Sequence, residues 1–407
     1  MAVELPLGNG TIELSLPSCQ LRTARPSGGE PVDVREAARA AVRSPHGPPL
    51  ADRVDPGDTV SVVVTDVTRA TPEDVLVDVL VGEFERAGVD RDQISVVIGL
   101  GLHRPMTDAE IEAALGEHAD LAVNHDPDST VTVGEVDGCP IELFEPITGS
   151  DVLCSTGMVE PHQYAGFSGG AKTALIGAGG ESQIRYTHGP ELLSRDGVRL
   201  GRIEDNPFRS FLDRAGDLIG VEFCLNVTHG PDGIIAASAG DHRAVVRDLA
   251  DTARDALSVT VTAEYDAVVA GVGAPKDANL YQTTRGATYV VLGAHNPLRP
   301  DGRVVLPATL DEGAGEGRGE QRFYERLAAA RDPDSLYREM REGYEPGAQR
   351  AFVLARTLKK HDVWITNSDA PATVEECLME AANDVEAAIE PDSDILVVPD
   401  ALNTLLV

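Results

Sequence analysis

Apolar residues alternate with other residues over positions 3–7 and 12–16, on either side of Gly8-Asn9-Gly10. This period of two with a glycine-rich turn is typical of a β-hairpin. From residue 59 onward, short continuous apolar runs alternate with segments of helical periodicity. Continuous apolar runs are typical of strands buried on both faces of a parallel sheet. The pattern therefore predicts an α/β protein.

Further strands and helices follow from the same pattern. The predicted strands are 60–64, 94–98, 151–156, 265–270, 289–292, 363–366 and 395–398. The predicted helices are 33–43, 73–87, 108–115, one beginning near Asn279, and 323–327, 335–341 and 349–360. Asp33 is placed to cap the first helix, and Thr107 with Glu110 forms a capping box for the third.

A boundary is predicted near residues 257–263, between two α/β domains that enclose a ligand cleft. The larger domain spans residues 1–258 and is expected to be completed by residues 346–407, which return to it. The smaller C-terminal domain spans residues 259–345. A length of 407 residues is sufficient for two such domains, each with its own core.

The charge of the chain limits its partners. The 67 acidic residues against 34 basic ones give a formal net charge of −33. Such a surface repels nucleic acids and anionic membranes, so neither is expected as a partner. A hydrophobic content of 42% argues against disorder. Acidic excess is tolerable where salt screens it, which leads to the hypothesis of a halophilic cytoplasm.

The remaining composition predicts a cytoplasmic protein. The five cysteines are scattered without a C-x-x-C pair, which favours a reducing compartment and disfavours zinc or iron–sulfur sites. No apolar run approaches the roughly 20 residues of a membrane span. The sequence MAVELPLGNG has neither the basic head nor the apolar segment of a signal peptide.

Candidate chemistry centres on residues 159–188, which contain a dense glycine cluster and Lys172. Only four of the 34 basic Lys and Arg residues are lysines, so a lysine retained here favours a chemical role. Two simpler interpretations compete with it. A phosphate-binding P-loop would need glycine before the lysine, but Ala171 occupies that position. An ordinary glycine-rich turn with a solvated lysine is the other alternative.

Polar groups collect in the loops that follow the predicted strands, where α/β proteins bind their ligands. They are Asp66, Arg69, His103, Arg104, His162 and Lys172, with His188 sixteen residues farther along. Imidazole can act as a general base near neutral pH or as a ligand of transition metals. The forked donors of arginine suit a carboxylate or a phosphate. The other seven histidines are interpreted as structural.

These residues fall in blocks that resemble the lactate racemase family, whose enzymes carry a nickel-pincer nucleotide. The blocks are residues 66–69 (DVTR), 101–107 (GLHRPMT), 161–172 (PHQYAGFSGGAK) with His188, and 279–285 (NLYQTTR). They span most of residues 60–290, and the third is the most diagnostic. The resemblance is weaker over the first 50 and the last hundred residues.

The resemblance implies a role for each matching residue. Lys172 would tether the cofactor, Ni(II)-pyridinium-3,5-bisthiocarboxylate mononucleotide, through a thioamide, and His188 would be the protein's nickel ligand. His103 and His162 would be the paired acid/base groups. The larger domain would bind the cofactor through Asp66, Thr68, Arg69, Gly169 and Gly170 as well. Substrate would be bound by Arg69, Arg104, Tyr281, Gln282 and Arg285.

The implied reaction inverts a small-molecule 2-hydroxy acid, as in a racemase or epimerase. Hydride transfer to an electrophilic cofactor avoids a carbanion beside a carboxylate, provided a base takes the hydroxyl proton. Each enantiomer directs its hydroxyl differently, which would explain two histidines. Alternatives are a non-racemising enzyme with the same cofactor, or a protein that binds the cofactor or a small molecule without turnover.

Arg285 departs from the family pattern, in which lysine is typical at this position. Arginine is larger and forked, so the exchange is not neutral. It predicts a different or bulkier acid than lactate, such as a sugar acid, an aryl acid or a dicarboxylic hydroxy acid.

Overall fold

A computed structural model of the protein describes residues 3–407, which form two α/β domains. The first domain is built on a six-stranded sheet. In spatial order its strands are Gly233–Gly240, Val221–Gly230, Val152–Met158, Val60–Thr65, Ile94–Gly99 and Ala122–Asn124. All neighbours are parallel except the pair formed by the first two strands of that order. Residues 60–64 are buried, as the continuous apolar run predicts.

The second domain is built on a six-stranded sheet that is parallel throughout. Its strands, in spatial order, are Glu380–Ala382, Asp362–Thr366, Leu298–Pro307, Tyr265–Ala270, Asp394–Val398 and Gln20–Thr23. The hairpin of Val3–Leu7 and Gly10–Leu14 packs on this sheet through Leu5 and Leu14. The predicted hairpin is thereby confirmed.

Helices cover both sheets. Those of the first domain are Val34–Arg43, Glu73–Ala87, Asp108–Leu115, Glu181–Thr187, Pro190–Leu193, Pro207–Ile219 and His242–Leu257. Those of the second are Leu280–Leu292, Arg318–Ala328, Pro333–Glu342, Gln349–Leu358 and Pro371–Glu375. Asp33 accepts a hydrogen bond from the Glu36 amide, and Thr107 and Glu110 form their capping box, so both predicted helix starts are confirmed. None of the helices in residues 3–407 combines the length and the apolar character that crossing a bilayer requires.

The expectation that residues 346–407 return to the first domain is wrong. The strand Asp362–Thr366 pairs with Leu298–Pro307, and Asp394–Val398 pairs with Tyr265–Ala270. The last strands therefore complete the second sheet, and the opening strand Gln20–Thr23 joins them there. A buried apolar strand fits either parallel sheet equally well, so its sequence does not identify its partner.

The prediction of a strand at 289–292 is also wrong, because these residues form the last turn of helix Leu280–Leu292. Tyr289, Val290 and Val291 are buried, which makes this end of the helix apolar on every side. A short apolar run of this kind cannot be distinguished from a strand by periodicity alone.

The two domains share a hydrophobic core. One cluster joins Tyr164 and Phe208 of the first domain to Leu280 and Phe352 of the second. The chain leaves the first domain after helix His242–Leu257, and the strand Ser258–Val259 then pairs with Leu405–Leu406 at the end of the chain. The two domains are therefore packed directly against each other.

Candidate active site

Three neighbouring parallel strands end at the same edge of the first sheet. Their carboxyl ends are Thr65, Gly99 and Met158. The loops that follow carry Asp66, His103 and His162 in turn. Because parallel neighbours end together, these loops form the ligand crevice expected of such a sheet.

Asp66 and His103 form a hydrogen-bonded pair across two of these loops. The His103 Nδ1 lies 2.7 Å from Asp66 Oδ2, and Thr68 Oγ1 donates to Asp66 Oδ1 at 2.6 Å. Burial alone would raise the pKa of Asp66, but the hydrogen bonds from His103 and Thr68 outweigh it and the pKa is lowered. An ionised carboxylate keeps the proton of His103 on Nδ1. The exposed Nε2 is then free to accept a proton.

His162 has the opposite hydrogen-bond pattern. Its Nδ1 accepts from the backbone amides of Tyr164 at 3.3 Å and Ala165 at 3.1 Å. A ring nitrogen that accepts carries no proton, so the neutral ring holds its proton on Nε2 and offers a donor. Burial and the positive charge of Lys172 hold the pKa of His162 well below its usual value. The neutral form therefore predominates near pH 7.

Lys172 lies where the glycine cluster meets a single π-helical turn, Thr173–Gly177. Its side chain is half-buried. Burial, together with the neighbouring charges of Arg69 and Arg209, lowers the pKa of Lys172 to about 7. A large fraction of this amine is therefore unprotonated at neutral pH, which is the form that acts as a nucleophile.

His188 lies at the carboxyl end of helix Glu181–Thr187, with its ring against Tyr164 and Phe208. Its Nδ1 is 3.1 Å from the carbonyl oxygen of Ile184 and 2.9 Å from Thr187 Oγ1. Because the carbonyl can only accept, Nδ1 carries the proton and Nε2 keeps a free lone pair. Burial and Lys172 lower the pKa of His188 to about 4, so that lone pair is available to a metal at neutral pH.

Gly169 and Gly170 bring the backbone close to its surroundings. Both have positive φ, and a Cβ on Gly169 would lie 2.6 Å from Val159 Cγ2. The amide of Gly170 donates to Asn226 Oδ1 at 2.7 Å, while the buried Nδ2 of Asn226 has no protein partner. The close packing of Gly169 and Gly170 therefore fixes the position of the backbone just before Lys172.

Arg69 is held by a carboxylate that the sequence analysis did not single out. Its guanidinium pairs with Glu160, which also lies 3.8 Å from His229 Nε2. Burial would raise the pKa of Glu160, but Arg69 and His229 outweigh it and the pKa is lowered. Glu160 precedes the diagnostic PHQYAGFSGGAK block directly, and that position was the available signal.

The second domain contributes its residues from helix Leu280–Leu292. Arg285 donates to Gln282 Oε1 at 3.2 Å and to the Tyr289 hydroxyl at 3.1 Å. That hydroxyl lies 3.4 Å from the carbonyl oxygen of Pro161, beside His162. Arg285 is therefore connected through Tyr289 to the loop that carries His162.

A buried arginine of the second domain, Arg350, is not marked by the sequence pattern. Its guanidinium lies 5.0 Å from the ring centre of Tyr281 and donates to Gln163 and Thr284. The signal was its position on helix Gln349–Leu358, four residues before the buried Leu354 and so on the same face.

Arg104 is not brought to this cluster. Its guanidinium pairs with both carboxylate oxygens of Glu110, at 2.8 and 2.6 Å, and its side chain is 64% exposed. Glu110 belongs to the capping box of the next helix, so Arg104 is turned toward that helix. The geometry gives no support to the prediction that Arg104 binds substrate.

The fold and the site together define a two-domain α/β protein with a lysine, histidines and arginines assembled at the domain interface. Models of the lactate racemase N-terminal domain and the lactate racemase C-terminal domain match residues 7–201 and 261–405. The chain belongs to the lactate racemase family.

Similar proteins support this assignment. The lactate racemase of Thermoanaerobacterium thermosaccharolyticum is 26% identical over 431 aligned positions, which cover 99% of each chain. The lactate racemase of Lactiplantibacillus plantarum is 26% identical and covers 85% of this chain and 84% of its own. The structure of the lactate racemase apoprotein from the first organism superposes with a TM-score of 0.88, at 24% identity and full coverage of both chains. A Thermotoga maritima protein shares the fold, with a TM-score of 0.68 at 17% identity and coverage of 92% and 97%.

Proposed function

We propose that the protein is a racemase or epimerase of a 2-hydroxy acid that carries a nickel-pincer nucleotide tethered to Lys172 and ligated by His188. The observation that carries this proposal is the juxtaposition, at one edge of the cleft, of an amine with a pKa of about 7 and an imidazole with a free Nε2. Both groups are in the chemical state that a covalent, metal-containing cofactor needs.

The residues present fit such a group. Besides Lys172 and His188, the surroundings hold two buried polar atoms without protein partners, the Tyr164 hydroxyl and Asn226 Nδ2. Buried polar groups are rarely left unpaired unless a ligand completes them. When bound, the nucleotide would supply an electrophilic carbon beside nickel as the acceptor of hydride.

The chain's own residues would handle the proton and the carboxylate. The hydrogen bond to Asp66 keeps the proton of His103 on Nδ1 and leaves the Nε2 lone pair free. Nε2 can then take the hydroxyl proton as the alcohol becomes a ketone. His162 offers an N–H that can hydrogen-bond the same oxygen. Arg285, fixed by Tyr289 and Gln282, would hold the substrate carboxylate while the centre inverts.

In contrast to the paired acid/base roles that the resemblance implies, the two histidines are proposed to have unequal parts: His103 accepts the hydroxyl proton of either enantiomer, and His162 donates a hydrogen bond. His103→Gln should reduce racemisation by about 1,000-fold and His162→Gln by about 100-fold, within the range of acid/base effects. Both variants should retain the cofactor, since neither ring is its ligand. A His103→Gln enzyme with normal turnover would contradict this division.

The test is expression of the chain together with the enzymes that make the cofactor, followed by intact-mass and nickel measurement. We expect an adduct of several hundred daltons on Lys172 and one nickel per chain. We also expect the enzyme to racemise a single enantiomer of its substrate, which chiral chromatography would detect. Lys172→Ala should lose the adduct, whereas Lys359→Ala, which changes a surface lysine, should keep it.

The same experiment separates the alternatives. An adduct with turnover but without inversion would favour a non-racemising enzyme that uses this cofactor. An adduct without turnover of any 2-hydroxy acid would favour a binding protein. Absence of an adduct in a preparation where a known family member is loaded would overturn the proposal.

A further inference from the structure

Arg350 is a buried arginine without an acidic partner. Only two arginines of residues 3–407 are more than nine-tenths buried, Arg209 at 3% exposure and Arg350 at 2%. Arg209 has a carboxylate oxygen of Asp213 at 3.8 Å. Arg350 has only neutral acceptors, Gln163 Oε1 at 3.3 Å and Thr284 Oγ1 at 3.2 Å, and its Nε has none. Burying a cation without a counter-charge is costly, which suggests that the partner is not part of the chain.

Arg285 also lacks an acidic partner. Its terminal nitrogens donate to neutral oxygens, and its buried Nε has no partner in residues 3–407. No carboxylate of the described chain lies within 4 Å of either guanidinium. The nearby acid Glu160 is already paired with Arg69. The two guanidinium groups therefore have no carboxylate at salt-bridge distance in the described chain.

Both arginines are attached to the loop that carries His162. Arg350 donates to Gln163, the residue after His162, and its guanidinium packs on Tyr281. Arg285 reaches the same loop through Tyr289, whose hydroxyl lies 3.4 Å from the Pro161 carbonyl oxygen. The free Nε groups of Arg285 and Arg350 are donors on cationic side chains, so an anion is the ligand that fits this region best.

We propose that the substrate is a 2-hydroxy dicarboxylic acid, with one carboxylate bound by Arg285 and the second by Arg350. This inference rests on the proposed function and specifies its substrate class. One guanidinium is sufficient to hold the single carboxylate of lactate. A second, buried in a chain of net charge −33, indicates a second negative group on the ligand.

The first measurement compares substrates on the cofactor-loaded enzyme at constant ionic strength. Racemisation of 2-hydroxybutanedioate and 2-hydroxypentanedioate is measured against 2-hydroxypropanoate. We expect kcat/KM for the better diacid to exceed that for the monoacid by about 100-fold, as expected for loss of one charge-assisted buried contact. Equal values, or a preference for the monoacid, would overturn the inference and leave the proposed function intact.

The second measurement assigns the preference to Arg350. Arg350→Gln should lower the ratio of diacid to monoacid kcat/KM by about 100-fold, and Arg350→Lys, which keeps the charge, by about 10-fold. The matched control is Arg356→Gln, on the same helix, where the guanidinium donates to the Leu193 carbonyl. This variant should keep the wild-type ratio. A parallel loss for both substrates in Arg350→Gln would show a structural role and overturn the inference.

Two further readouts do not depend on turnover. Calorimetric titration of the apoprotein with 2-hydroxybutanedioate should give heat of binding that Arg350→Gln abolishes, while 2-hydroxypropanoate gives little in either protein. Intact mass should show equal cofactor adducts on wild type and Arg350→Gln. Loss of the adduct would mean that Arg350 holds the cofactor's phosphate, which contradicts the inference. The cofactor-loaded wild-type enzyme could invert no 2-hydroxy acid while the apoprotein still binds the diacid. That result would contradict the proposed function but would support an anion-binding site at Arg285 and Arg350.

Discussion

Burial, and then the positive charges of nearby arginines, make it costly to hold a positive charge on Lys172. Arg69 and Arg209 lie near an amine that is already partly removed from water, and its pKa falls to about 7. An ordinary lysine, with a pKa of about 10.4, is almost fully protonated at neutral pH. The fold thus brings the pKa of Lys172 close to neutrality.

This state can be measured in the apoprotein by brief acetylation at a series of pH values and peptide mapping by mass spectrometry. Because a free amine reacts and an ammonium does not, the labelling rate of Lys172 should rise between about pH 6 and 8 and then level off. The peptide with Lys359 and Lys360 serves as the internal reference for reagent decay. A Lys172 rate that continues to rise up to pH 10 would contradict the lowered pKa.

Asp66 should matter for turnover chiefly through its hydrogen bond to His103. Asp66→Asn removes the negative charge that keeps the proton on Nδ1, and the amide can stabilise the wrong tautomer. We expect kcat to fall by about 100-fold or more in the loaded enzyme, with the adduct on Lys172 unchanged. Glu110→Gln, which alters the half-buried carboxylate paired with Arg104, is the control and should keep its activity. Equal losses in the two variants would argue against a specific Asp66–His103 pair.

The candidate residues were predictable where the chain marks them by unusual local composition. Lys172 and His162 stand in a glycine-rich stretch, and His103 follows a buried strand. Arg104 follows the same strand, but its guanidinium forms an ion pair with Glu110, six residues later. Arg350 lies on an ordinary helix, where its position on the face of the buried Leu354 is the one sequence signal, and its missing counter-charge is seen only in the structure. Such pairings depend on three-dimensional distance and leave no trace in sequence spacing.

At the scale of elements, the loop of His162 depends on one glycine. His162 pairs with Gly166 in a two-residue antiparallel ladder, and Gly166 has φ +77°. A Cβ at this position would lie 1.9 Å from the Arg202 carbonyl oxygen. The chain offers a close control in Gly138, which also has φ +77° but open space around it.

Gly138→Ala should therefore cost about 1–2 kcal/mol of unfolding free energy, the penalty of the left-handed conformation alone. Gly166→Ala should cost about 3 kcal/mol or more, because the backbone of Arg202 must also move. Chemical denaturation of the apoproteins measures both. Similar losses in the two variants would show that the contact with Arg202 does not constrain the loop.

The secondary structure was predictable to the extent that each element signals its own ends. Helix Asp108–Leu115 has its capping box and strand Tyr265–Ala270 its apolar run, and both bounds agree with the prediction. The run at 289–292 was misassigned because a buried helix end and a buried strand present the same apolar surface. Whether such a run becomes a helix or a strand depends on the elements that pack against it, and the local sequence does not specify those elements.

For the whole molecule, the charge of −33 predicts that salt stabilises the fold. At about 0.1 M salt, charges repel one another over about 10 Å, and at 1 M over about 3 Å. Raising potassium chloride from about 0.1 to 2 M should increase the Tm of the apoprotein by several degrees. Sucrose, which favours compact states without screening charge, is the control and should have a smaller effect. A constant Tm over this range would remove the basis for the halophile hypothesis.

The sheet that closes the second domain also sets the order in which the molecule can be completed during synthesis. Its strand Gln20–Thr23 leaves the ribosome first, while its neighbour Asp394–Val398 is among the last segments made. At about 5–20 residues per second, this opening strand waits roughly 20–70 s for its partner. The first domain has all of its own strands well before then. The newborn chain therefore carries an unpaired β edge through most of its translation, and that interval is when it is most exposed to mispairing with another copy.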